Sequence, residues 1–196
     1  MSKFLGPVHF WLYHKIQFQE SLIDALISHA VQEGWNDEDL TRYSCQDRRQ
    51  LDEIIDETNI HGWLQARIQD AEKRYAALVL HLVGSDETRL NALKQAASAF
   101  GATQSLSAST APEAFHRLDD LLLDGMPCDQ INRVSHSSDD AITWIQSADI
   151  HSVYWQGHGQ WYYQLRQALI TGLLSHTSYS FLQKEDGSFH IVKKAA

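Results

Sequence analysis

The feature that most constrains this chain is a change of hydrophobic period along its length. In the first half apolar residues recur every three to four positions, as on the inner face of a helix, and near the end they fall into short strand-like runs. From His9 to Val31, the residues Leu12, Ile16, Leu22, Ile23, Leu26, Ile27 and Ala30 keep the helical spacing, and Gly34 supplies a C-terminal stop. From Leu51 to Val83, the residues Leu51, Ile54, Ile55, Leu64, Ile68, Ala71, Tyr75, Leu78 and Leu82 keep it again. This predicts one long helix, entered near Asp47 and interrupted only at His61-Gly62. Between the two, Trp35 to Gln46 is polar and carries Asn36-Asp37, which predicts a loop.

Gly84-Ser85 ends that helix, and Asp86 and Glu87 suit the positive end of the next one, which is expected to run to Phe100 and stop at Gly101. Thr110-Ala111-Pro112-Glu113 has the form of a capping box with proline in the first turn, so a further helix should pass through Phe115, Leu118 and Leu121 to Gly125. Pro127 disfavours helical geometry at Met126 and places Cys128 in or just after a turn. Tyr179 to Gln183 and Phe189 to Lys193 are β-like runs on either side of Asp186-Gly187, a strong hairpin signal. A lone hairpin is marginal in water. These strands therefore need a helix such as Trp161 to Leu174, or a third strand near Ile142 to Ile145. The predicted fold is mainly α with a small C-terminal antiparallel β element, an α+β arrangement. A helical bundle over residues 1–125 carries a loop, helix and hairpin subdomain over 126–196, within one structural domain.

With 196 residues and a hydrophobic fraction of 43%, the chain can bury a core without disulfide staples. Its net charge of -9, from 16 Lys+Arg against 25 Asp+Glu, argues against a nucleic-acid binder, which needs a basic face to neutralise phosphates. The two cysteines, Cys45 and Cys128, are too few for a secreted disulfide framework, and every apolar run is broken by polar residues before it reaches membrane length. A cytoplasmic protein away from the membrane is expected, with room for a homo-oligomer. No P-loop, dinucleotide-binding glycine motif, His-Glu-x-x-His, Gly-x-Ser-x-Gly or Cys-x-x-Cys occurs.

Two sets of residues are candidates for chemistry. His9, Tyr13, Ile16, Glu20, Ile23 and Ile27 lie along one helical stripe, which puts His9 and Glu20 among apolar neighbours. Glu57 and His61 are four apart, on adjacent turns of one face if the second helix is continuous. His9, Glu20, Glu57 and His61 together would suit iron, manganese or zinc between facing helices, although the usual di-iron spacing is Glu-x-x-His and is not repeated here. A haem held by His9, His14 or His61 is the related expectation. The structural alternative is a group of partly buried side chains hydrogen-bonded within the bundle.

The second set is Cys128 and Asp129 with His151, and with His136 as a further histidine, set among Trp144, Tyr154, Trp155, Trp161 and Tyr162. A thiol whose proton a histidine removes would support hydrolase or transferase chemistry. Against this, Cys128 reads as a small buried hydrophobe, the commoner fate of a free cysteine, and Asp129 as a cap for a short helix. The aromatic residues would line a planar-ligand pocket or pack the hairpin on the helices. The expected function is a small-ligand, metal or haem-binding helical protein with a redox or sensory role. The alternatives are a thiol enzyme using Cys128 with His151, and a non-catalytic interaction module.

Overall fold

The computed structural model describes residues 5–35, 39–184 and 186–195. The first helix, α1 (Pro7–Gln32), begins on Pro7, whose fixed φ suits a helix start. His9 completes the cap, its Nδ1 accepting the Gly6 N–H at 2.9 Å. Beyond α1, Gly34 takes a positive φ of 75°; the Asn36-Asp37 loop signal lies outside the described residues.

The long second helix of the sequence reading is two helices, α2 (Leu51–Ile54) and α3 (Ile60–Val83). Side chains that bind the backbone cause the break. Asp56 Oδ1 accepts from the Thr58 N–H at 2.9 Å, closing a turn, and Asn59 Oδ1 accepts from the Gly62 N–H at 3.2 Å, starting α3. Gly62 is therefore no kink. It belongs to the first turn, where a Cβ would stand 2.3 Å from the Asn59 side chain.

Helix α4 (Thr88–Ala102) runs through Gly101 because that glycine is a packing residue rather than a stop. It lies against α6 (Gly159–Leu173), where a Cβ at Gly101 would be 2.4 Å from the Leu169 carbonyl oxygen, and one at Gly172 would be 2.0 Å from the Ser98 carbonyl oxygen. Two glycines, one on each helix, let the backbones touch. Between α4 and α6 comes α5 (Ala111–Asp119). Thr110 Oγ1 accepts from the Glu113 N–H at 3.2 Å as expected, and the Glu113 carboxylate accepts from the Ser109 N–H at 2.8 Å. The helix stops six residues short of Gly125, and the turn that follows buries Leu122, Leu123 and Asp124 before Gly125 reverses the chain at φ 74°.

Four antiparallel strands form one sheet in the order β1-β2-β4-β3, from β1 (Asn132–Ser137), β2 (Ala141–Gln146), β3 (Tyr179–Gln183) and β4 (Phe189–Lys193). The Asp186-Gly187 hairpin joins β3 to β4, and β2 is the third strand anticipated near Ile142 to Ile145. The fourth, β1, is an exposed edge strand with no apolar alternation to announce it. Register places Ile142 opposite Ile191 and Trp144 opposite Phe189, so these residues share an inner face with Tyr179 and Phe181. That face packs on α5 and α6, and Phe115 meets Trp144 edge-on with ring centroids 5.0 Å apart. The aromatic residues Trp144, Trp155, Trp161 and Tyr162 are core. A second, smaller apolar cluster joins Leu12 and Ile16 of α1 to Leu51 of α2 and Leu64 and Ile68 of α3. Among the described residues no helix is long and apolar enough to cross a membrane.

Overpacking a tight crossing costs about 1–3 kcal/mol. Gly172→Ala is expected to destabilise the protein by at least that much in urea denaturation, because backbone atoms, which cannot turn aside, stand where the methyl would go.

Candidate functional site

Several charged side chains occupy positions that the helical period assigns to the core. Lys15 sits between Leu12 and Ile16 on the inner face of α1, Glu72 next to Ala71 and one turn from Ile68 and Tyr75 on α3, and Arg166 next to Leu165 on α6. Asp124 arrives from the turn after α5. His151 arrives from the loop after β2, which Asp149 Oδ1 holds by accepting from the His151 and Ser152 N–H groups at 3.1 and 3.0 Å. All five are buried.

Four of them form one network. Arg166 Nη2 donates to Asp124 Oδ2 at 2.8 Å, and Arg166 Nη1 donates to Tyr162 Oη at 3.0 Å. Asn132 Nδ2 and Gln146 Nε2 donate to the two Asp124 oxygens at 2.8 and 3.3 Å. His151 lies between two carboxylates, its Nε2 3.4 Å from Asp124 Oδ1 and its Nδ1 3.3 Å from Glu72 Oε1. The contact with Glu72 is within ion-pair range but off the line of a directed hydrogen bond, so Nδ1 has no hydrogen-bond partner among the described residues. Gln19 Nε2 donates to Glu72 Oε1 at 3.2 Å, which leaves Glu72 Oε2 buried without a donor. The His151 ring stacks on Tyr162 with centroids 4.0 Å apart.

Burial alone would push the His151 pKa down, but Glu72 and Asp124 outweigh it and the net shift is upward. Burial would likewise raise the Asp124 carboxyl, yet the Arg166 charge and the His151 contact hold it far below the usual carboxylate range. With His151 protonated, two carboxylates face two cations and the network is neutral.

A cleft of about 170 Å³ opens beside this network. Trp11, Leu12, Phe115 and Ile131 give it apolar walls, and Lys15, Asp119, Asp124 and Asn132 give it a polar end. Lys15 Nζ is 3.1 Å from Asp119 Oδ1 and lies 3.7 Å from the centre of the Trp11 ring. Trp11 is fixed in turn, its Nε1–H donating to Asp120 Oδ1 at 2.9 Å. Burial lowers the Lys15 pKa from its ordinary value, and the Asp119 carboxylate only partly offsets it. The chain around Pro127–Asp129 forms the rim, braced by Asp129 Oδ2, which accepts from the Met126 N–H at 2.9 Å.

The residues singled out by sequence are distributed differently. His9 and His61 do meet, with their Nε2 atoms 3.3 Å apart. Because His9 Nδ1 already accepts from Gly6, its Nε2 carries the proton and offers His61 a donor rather than a lone pair. Glu20 is buried against Arg74, which binds both of its oxygens, and Glu57 is exposed in the turn before α3, off the helical face that it was expected to share with His61. His14 is exposed. Among the described residues no three or more His, Cys, Asp or Glu side chains converge as a metal would require.

Cys128 is exposed on the rim, its Sγ 3.8 Å from Asp129 Oδ1, whereas His151 is buried among Glu72, Asp124 and Tyr162. His136 lies on the exposed strand β1. Sequence reasoning missed Lys15, Glu72, Asp119, Asp124 and Arg166. A charge inside the apolar stripe, the signal that picked out Glu20, also marks Lys15, Glu72 and Arg166; nothing local marks Asp124 or Asp119.

Two outcomes follow from the network. Removing one partner of a buried ion pair costs about 3–5 kcal/mol, so Asp124→Asn is expected to lose that much stability by chemical denaturation. A histidine whose pKa is raised by folding contributes stability below its unfolded value of about 6.5, and that contribution disappears as pH rises through the folded value. The depressed Asp124 acts oppositely, contributing above the carboxylate range and losing its effect in acid. Thermal melts should therefore show greatest stability in weak acid, and Glu72→Gln should weaken the alkaline decline by removing one of the two charges that favour protonated His151.

Compared with known proteins, the chain matches no family model, no curated protein and no solved structure.

Proposed function

We propose that this protein binds a small organic molecule in the cleft between α1, the end of α5 and the start of the sheet. The observation that carries the reading is the composition of that cleft: apolar walls of Trp11, Leu12, Phe115 and Ile131 lead to a polar end formed by Lys15, Asp119 and Asp124. Ligand sites in general pair an apolar lining with a few fixed polar groups. The network behind the cleft supplies the fixing, since Asp124 is held from four directions and cannot swing when a ligand enters. The expected ligand has a compact apolar body and one hydrogen-bonding end.

The donor geometry favours an organic ligand over a metal or haem. A ligating histidine ordinarily donates its second ring N–H to an acceptor. In His9 the second nitrogen accepts instead, and Glu20 is committed to Arg74. Cys128 lies on the cleft rim with Asp129, not histidine, beside its thiol.

A screen of small aromatic and aliphatic compounds against isotope-labelled protein would test this reading by NMR. Shifts are expected at the Trp11 indole N–H and at the Gly125 and Asn132 amides. Ile131→Trp, which fills the cleft, should abolish them while the remaining spectrum persists. Binding compounds that leave all three signals unmoved would overturn the assignment.

A further inference from the structure

We propose that Lys15 is a reactive amine, and that the cleft presents it to the carbonyl group of a small aldehyde or ketone with which it condenses to an imine. This rests on the cleft being the ligand site and adds a chemical class and a covalent step. Among the described residues Lys15 is the one buried lysine, with its side chain 5% exposed. Burying a lysine is costly unless its charge is compensated. Here a long flexible arm ends at the polar end of an apolar cleft, the setting in which lysine amines serve as nucleophiles.

The surroundings supply what the condensation needs. Asp119 Oδ1, 3.1 Å from Nζ, takes a proton from the ammonium and frees the nitrogen lone pair. Asp119 is suited to this because, among the described residues, its carboxylate accepts a hydrogen bond from Lys15 alone, whereas Asp124 is saturated by four contacts. The nitrogen attacks the carbonyl carbon, a C–N bond forms, and the C=O π pair moves to oxygen, which takes the proton from Asp119. Asp119 then accepts a second proton from the nitrogen and returns it to the hydroxyl, which leaves as water while the nitrogen lone pair completes the C=N bond. The sum is ammonium plus carbonyl giving iminium plus one water, with no change of oxidation state. One positive charge is present before and after. It stays next to Asp119 and over the face of Trp11, whose ring attracts cations, so the site is already complementary to the iminium product. Burial lowers the Lys15 pKa, which increases the share of free amine at neutral pH.

The test treats the whole protein with benzaldehyde and cyanoborohydride at neutral pH and locates the reduced adduct by peptide mass spectrometry. General acid–base catalysis contributes about a hundredfold or more, and Asp119 offers it to Lys15, so Lys15 should label at least about tenfold faster than the exposed Lys73 and Lys184. Asp119→Asn should slow Lys15 by about a hundredfold and leave Lys73 unchanged, as loss of a proton carrier predicts. Lys15→Arg should give no adduct at that position. Benzyl alcohol, which cannot form an imine, separates the two claims. If it shifts the Gly125 and Asn132 amides while Lys15 labels no faster than the surface lysines, the amine chemistry is overturned and the cleft stands. If neither compound moves those amides and Lys15 is not selectively labelled, both are overturned.

Discussion

The carboxylate of Asp124 is the point on which the rest of the structure depends. Arg166 from α6, Asn132 from β1, Gln146 from β2 and His151 from the loop between sheet and helix all converge on its two oxygens. An isolated buried carboxylate would be prohibitive, so these donors are a condition of the fold rather than additions to it. Satisfying them fixes where the sheet sits on the helices. It also fixes the turn at Gly125 and the wall of the cleft. Glu72 and His151 extend the same logic to α3. Through Gln19 it reaches α1, so the polar seam touches most of the main elements.

Apolar packing alone would leave more freedom. The two glycines at the α4–α6 crossing set a close approach and its register, but the aliphatic residues around them are interchangeable in chemistry if not in size. Charged groups with directed hydrogen bonds are not interchangeable. A rigid polar floor under an apolar cleft is what precise positioning of a ligand requires, and the protein builds it from several separate stretches of chain instead of from one motif.

Much of the fold is legible in the sequence because it follows from period. The stripe from Leu12 to Ala30 gave α1, Thr110 to Glu113 gave the start of α5, and Asp186-Gly187 gave the hairpin. The misreadings have local physical causes. Glycine resembles punctuation at Gly101, where it is a packing contact, and at Gly62, where it lies within the first turn of a capped helix. Strand β1 escaped notice because an exposed edge strand has no buried face to impose alternation. The site was less legible. His9 and Glu20 lie inside as their stripe implies, but His9 accepts from a backbone amide while it meets His61, and Glu20 is committed to an arginine. Asp124 carries no sequence signal at all, since its importance comes from four partners that only the tertiary fold assembles.

The order in which those partners occur along the chain has a consequence for how the protein is made. Glu72 and Asp124 leave the ribosome before His151 and Arg166, the two cations that neutralise them. Until residue 166 emerges, helices α1 to α5 and the turn after them carry both carboxylates without the groups that offset their burial. Closing the interior around Glu72 and Asp124 therefore requires α6 with its arginine as well as the loop that carries His151. The network thus ties the burial of two early carboxylates to residues that lie far later in the chain.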